Sequence, residues 1–160
     1  MKSDVRSFYT YPTPFGPLTI GATGDTVTAV EFGESPLEGT RRPSAATTAC
    51  ANQIMEYLAG KRTSFDVPCD PTGTPFQHEV WHAVANIPFG HTRTARDIAA
   101  TIGAPKSYRL VGTAVKRCPV PLLVPVHRVV GATGSPQGTG KAADIARALL
   151  ALERKEAPGA

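Results

Sequence analysis

The sequence of 160 residues predicts an α+β protein built in two lobes, and three observations carry that prediction. Residues 7–33 break into short alternating runs punctuated by glycine and proline, the pattern of a small antiparallel sheet. One amphipathic stretch follows, from Ser44 to Leu58. From Phe76 onward the apolar spacing lengthens to a helical period, so the second half is helical. The division falls in a linker bearing proline and glycine, which gives an N-terminal α+β lobe over residues 1–72 and a helical C-terminal lobe over residues 73–160.

The strands are "SFYTYPT", "GPLTIGAT" and "TVTAVEFG", with Leu18, Ile20, Val27, Val30 and Phe32 as the apolar members. "ESPLEGTRRPS" reads as a loop. Ser44 is a helix cap, Cys50, Ile54, Tyr57 and Leu58 share a face, and Gly60 ends the helix. "RTSFDVPCDPTGTP" is an extended linker in which only Phe65 and Val67 are pinned. "PFQHEVWHAVANIPFG" is a helix with Phe76, Val80, Trp81 and Val84 on one side, stopped by Pro88 and Gly90. "TARDIAATIG" makes a short helix with Ile98 and Ile102 inward, Gly103-Ala104-Pro105 turns the chain, and "KSYRLVGTAVKR" is helical again. Two helices about a tight turn form a helix-turn-helix pattern, although many helical hairpins have no nucleic-acid role. A proline-boxed loop, "CPVPLLVPVHRVV", leads to the glycine-rich "GATGSPQGTGK" and a final helix, "ADIARALLALERK".

Composition narrows the function classes. The mean hydropathy of −0.12 and 41% hydrophobic content are those of a soluble globule, and no run is long and apolar enough for a membrane span. The first residues lack the apolar core of a secretory signal, so a cytoplasmic location is expected. Cys50, Cys69 and Cys118 are odd in number and form no CxxC, which argues against a disulfide framework and a zinc site; neither metal nor cofactor is expected. The net charge of +4 favours an anionic partner only mildly. Its distribution says more: Arg93, Arg96, Lys106, Arg109, Lys116 and Arg117 face a single acid, Asp97, across the helix-turn-helix.

The loop carries the chemistry. Pro121 and Pro125 stiffen an apolar approach to His127, which reads either as a general base or as a buried structural histidine. Glu153, in the last helix, is either its distant partner or a solvated helical glutamate. Val126, where a nucleophile would sit, is a hydrocarbon.

Taken in order, "TPFGPLTIGAT", "GTPFQHEVWHAVANIPFGHTRT", "YRLVGTAV", "PVPLLVPVHRVVGATG" and "ALLALE" resemble segments of the O6-alkylguanine-DNA alkyltransferase family, including its alkyltransferase-like members. "YRLVGTAV" is similar to the family's recognition helix "ARAVGxA", and the loop to its reactive "NPxxxxxPCHRVxxxxG". The resemblance covers nearly the whole chain and implies the alkyltransferase fold. It also implies that the acceptor cysteine, which takes an alkyl group from guanine O6, falls at Val126. In the family that thiol is activated through a water by the histidine at position 127, which the glutamate at position 153 orients. Arg109 matches the arginine that enters the minor groove and fills the place of a flipped nucleotide. Substitution of the acceptor cysteine defines the alkyltransferase-like members, which bind alkylated DNA and flag it for excision repair.

The chain departs from the family in three further places. Ala95 replaces the tyrosine that rotates the target's 3′ phosphate, and Cys118 replaces the hinge asparagine before Pro119. The lesion-pocket "GYGGG" reads "GTGKA", which brings in Thr139 and Lys141. The expectation is therefore a non-catalytic, monomeric binder of double-stranded DNA that prefers alkylated or damaged guanine, with excision-repair proteins as partners and no membrane association. Arg109 would be the wedge. Arg93, Arg96, Lys106, Lys116 and Arg117 would touch phosphates, with Ala95 on the same DNA-binding surface. Pro125, Val126, Thr139, Lys141 and Cys118 would line the altered pocket, with His127 and Glu153 as a remnant relay. The alternative is a pocket serving a new ligand, with Lys141 reactive or with Cys118 as a relocated acceptor whose thiol Arg117 would acidify.

Overall fold

The alternating runs at the start of the chain pair as β1 (Arg6–Tyr11), β2 (Leu18–Thr23) and β3 (Thr26–Phe32), an antiparallel meander with Ile20 opposite both Tyr9 and Val30. The structure, a computed structural model, describes residues 5–136 and 140–156, and the chain divides into two compact units, residues 1–72 and 73–160.

In the first unit the strand in the middle, β2, is buried on both faces. Leu18, Ile20 and Ala22 line one face, while Thr19 on the other is as inaccessible as Ile20. The Thr19 hydroxyl donates to the Gly33 carbonyl at 2.7 Å and accepts from the Ser35 amide at 3.1 Å, so its burial leaves no polar group stranded. The cover comes from the segment expected to be a plain loop, residues 34–44. Leu37 packs so closely on Gly21 that a Cβ there would lie 2.9 Å from its methyl. Thr40–Arg41 forms β4, parallel to β1, and completes a sheet of order β3-β2-β1-β4. A strand of two residues shows no alternation, so the sequence hides it. Gly39 makes the approach possible: its φ is +109°, and a side chain there would collide with the Arg6 carbonyl.

Helix α1 (Ala45–Leu58) starts at Ser44 through a capping box with Thr47 and packs on β1, β2 and β3 through Cys50, Ala51, Ile54 and Tyr57. The linker beyond it is solvent-exposed around Cys69, as expected, but its backbone is tied to β3. The Val27 amide donates to the Pro68 carbonyl and the Asp70 amide to the Val27 carbonyl, both at 2.9 Å.

The second unit holds α2 (Pro75–Ala85), β5 (Arg93–Thr94), α3 (Ala95–Thr101), α4 (Tyr108–Lys116), β6 (Val129–Val130) and α5 (Lys141–Glu156). Thr74 with Gln77, and Thr94 with Asp97, build capping boxes that set where α2 and α3 begin. The turn after α3 passes through Gly103 at φ +80° and a single 3-10 turn over Pro105–Ser107, so α4 starts later than the sequence suggests. Helices α3 and α4 pack together, and α2 packs on both. The Trp81 indole N–H donates to the Ala114 carbonyl at 2.8 Å, fixing α2 against α4. Strands β5 and β6 pair in parallel, Arg93 with Val129 and Thr94 with Val130, which couples the start of the helix-turn-helix to the end of the proline-boxed loop.

Candidate functional site

The loop from Cys118 to Pro125 is held by its own backbone. The Val124 amide donates to the Val120 carbonyl at 3.0 Å and the Val126 amide to the Val124 carbonyl at 2.7 Å. Leu122 has φ +78°, a left-handed conformation costing roughly 1 kcal/mol in a residue with a Cβ; its side chain is buried, which offsets that strain. Val126–Arg128 then forms a 3-10 turn closed by the Arg128 amide on the Pro125 carbonyl at 3.0 Å. Within this turn Val126 is half-buried, while His127 and Arg128 are buried.

Both lead to Glu153 on α5, which is 0% exposed. His127 Nε2 lies 2.7 Å from Glu153 Oε2. Arg128 donates from Nε to Oε1 and from Nη2 to Oε2, each at 2.8 Å, a two-pronged guanidinium–carboxylate pair. Arg128 Nη1 donates to the Ile87 carbonyl at 2.8 Å, and the Gly90 amide donates to Glu153 Oε1 at 3.3 Å. The Arg128 guanidinium also lies 5.6 Å from the centre of the Phe89 ring. Burial holds the His127 pKa below its ordinary 6.5, against the opposing pull of its bond to Glu153. A carboxylate clasped by a guanidinium has no proton to give, so Nε2 donates and the neutral ring presents Nδ1 as an acceptor. That is the protonation state of a general base. Sequence reasoning missed Arg128, because a lone arginine in a basic protein looks the same whether it pairs inside or faces a phosphate.

The cations of the helix-turn-helix all face solvent: Arg93, Arg96, Lys106, Arg109, Lys116 and Arg117. On α4, Arg109, Thr113 and Lys116 follow one stripe with Leu110 and Arg117 beside it, while Val111 and Ala114 turn inward. Ala95 does not share that surface. As the first residue of α3 it packs inward with Ile98 and Ala99, at the foot of the basic surface rather than on it. Ile102, expected inward, caps α3 and is only half-buried. Tyr108 is the second residue that the sequence reading passed over. The Arg96 guanidinium lies 3.9 Å from the centre of its ring and that of Arg109 5.9 Å. The bond to Arg109 and the charges of both arginines lower its phenol pKa. A signal was there: in "ARAVGxA" both neighbours of the arginine are alanine, whereas here they are Tyr108 and Leu110.

Of the expected pocket residues, Thr139 lies outside the described residues. Pro125 and Cys118 are buried, and Lys141 is exposed at the first residue of α5. A concavity among the described residues adjoins the relay on its Glu153 side, lined by Gly90, Thr92, Gly134, Leu150, Glu153 and Arg154. Burial and the nearby Cys69 push the Cys50 thiol up to about 12; partial burial and then Asp70 raise Cys69, so neither is primed as a nucleophile.

Family models match both units. The 6-O-methylguanine DNA methyltransferase ribonuclease-like domain covers residues 8–71, and the DNA binding domain of the same name covers residues 75–155. Methylated-DNA--protein-cysteine methyltransferase of Mycobacterium tuberculosis is 40% identical over 155 residues, 94% of each chain, and the constitutive Bacillus subtilis protein of that name is 36% identical over 92% of this chain and 94% of its own. Among solved structures, Mycobacterium tuberculosis O6-methylguanine methyltransferase superposes with a TM-score of 0.88 at 39% identity, over 98% of this chain and 97% of the other. A structure titled as the Mycobacterium tuberculosis protein in complex with DNA gives 0.87 at 39% identity, over 96% of each. With both halves matched in order and near full-length relatives at this identity, the chain belongs to the 6-O-methylguanine DNA methyltransferase family.

Proposed function

We propose that this protein binds double-stranded DNA, with a preference for O6-alkylated guanine, and does not take up the alkyl group. The observation that carries the reading is Val126 directly before His127. His127 keeps its bond to Glu153, which Arg128 clasps, and the side chain directly before the histidine has no proton to give. A branched hydrocarbon cannot attack an alkyl carbon. The solvent-facing stripe of α4 and the cations flanking it, Arg93, Arg96 and Lys106, supply phosphate contacts, and the Mycobacterium tuberculosis relative was solved with DNA. On this reading Arg109 fills the vacated base position, Arg93, Arg96, Lys106, Lys116 and Arg117 hold the backbone, and Val126 is a wall of the lesion pocket. A monomer in the cytoplasm that recognises a lesion without removing it acts by marking it, which makes excision-repair proteins its partner class.

The test pairs two measurements. Fluorescence anisotropy with matched duplexes, plain and carrying O6-methylguanine, should show tighter binding to the methylated one. Intact mass after incubation should show no gain of a methylene. Equal affinities end the lesion-sensor reading, no binding ends DNA as the partner, and a stoichiometric adduct on Cys118 makes the protein an enzyme with a relocated acceptor.

A further inference from the structure

Four side chains at the junction of α3 and α4 form an arrangement that phosphate binding does not require. Arg96 reaches from α3 to place its guanidinium 3.9 Å from the centre of the Tyr108 ring, and Arg109 approaches the same ring at 5.9 Å. Leu110 follows with 61% of its surface exposed, one of few large apolar side chains in the described residues left open to water. An arginine meant only for a phosphate gains nothing by stacking on a ring, and a leucine serves no phosphate. A guanidinium held over a ring does fix the plane of that ring, so little freedom is lost when a flat partner stacks on it.

Resting on the DNA-binding reading, we infer that Tyr108, Arg109 and Leu110, with Arg96 bracing the tyrosine, form a composite wedge that enters a duplex at a step where a base has left the stack. Tyr108 stacks on the base left exposed beside the gap, Arg109 occupies the gap itself, and Leu110 packs hydrocarbon against its rim. Apolar side chains inserted between base steps, and aromatic rings under unstacked bases, are established ways for proteins to hold opened nucleic acid. The occupant follows from charge: Arg93, Lys106 and Lys116 accompany the wedge on the same two-helix unit, which suits a polyanion carrying flat apolar groups. The lowered phenol pKa agrees with a ring flanked by two cations. Discrimination then lies in the opened step, whichever lesion opens it.

The test uses the full chain and two duplexes, one plain and one with a single abasic site, compared by anisotropy. The wild type should prefer the abasic duplex. Tyr108→Ala should cut that preference about tenfold, since one base stack is lost. Leu110→Ala should cut it about threefold, and Tyr108→Phe should keep it, because the ring and not the hydroxyl stacks. Neither Tyr108 nor Leu110 is buried in the core, so urea midpoints of all three variants should match the wild type and exclude unfolding as the cause. A preference unchanged in Tyr108→Ala overturns the wedge, as does a loss in Tyr108→Phe equal to that in Tyr108→Ala. A wild type that binds both duplexes equally overturns the wedge and leaves DNA binding standing; one that binds neither overturns both.

Discussion

A carboxylate with no exposure needs a donor at each oxygen, and Glu153 has them from His127, Arg128 and the Gly90 amide. The pair with Arg128 is a buried ion pair, and removing one partner leaves the other charge uncompensated. Glu153→Ala should therefore cost about 3–5 kcal/mol in urea unfolding, far more than an exposed acid such as Glu79 would. His127 adds a dependence on pH. Its folded pKa is depressed, so the folded state binds its proton less readily than the unfolded chain. The resulting stability is fully present above the ordinary value of 6.5 and is lost as pH falls from there through the folded pKa. His127→Gln should flatten that part of the stability profile, and an unchanged slope would show that other groups set it.

At the scale of the element, α4 separates two jobs along one stripe. Arg109 and Lys116 are seven residues apart, two turns, on the same exposed side. Neutralising several phosphates makes affinity fall steeply with salt, and each cation carries a share of that slope. Lys116→Ala should weaken plain and methylated duplexes alike and lower the log–log salt slope by about one. Arg109→Ala should instead erase the preference for methylated DNA and leave most of the non-specific affinity. Anisotropy titrations at two salt concentrations distinguish the two outcomes, and identical behaviour of both variants would mean that α4 only supplies charge.

At the scale of the whole molecule, the departures from the family test whether one atom separates binder from enzyme. Val126→Cys places a thiol one residue before His127, whose Nε2 is held by Glu153. Ala95, buried, offers no phenol, and Cys118 no amide. Each such loss is worth about 1–3 kcal/mol, so the variant should take up a methyl at least about tenfold more slowly than the Mycobacterium tuberculosis relative, followed by intact mass over time. Equal rates would show that the other departures are harmless.

The two-lobe α+β plan, the helix start at Ser44, and the adjacency of Val126 and His127 are legible along the chain, because they rest on periodicity, capping and residue order. The basic helices are legible for the same reason. Folding was needed to reveal that residues 34–44 close the second face of the sheet, that Arg128 turns inward to clasp Glu153 from 25 residues away, and that Arg96 braces Tyr108. Those facts depend on segments far apart in the chain meeting in space. A glycine that admits a close approach, or an arginine that trades water for a buried carboxylate, carries no local signature, since its energy comes from the neighbour it finds only after folding.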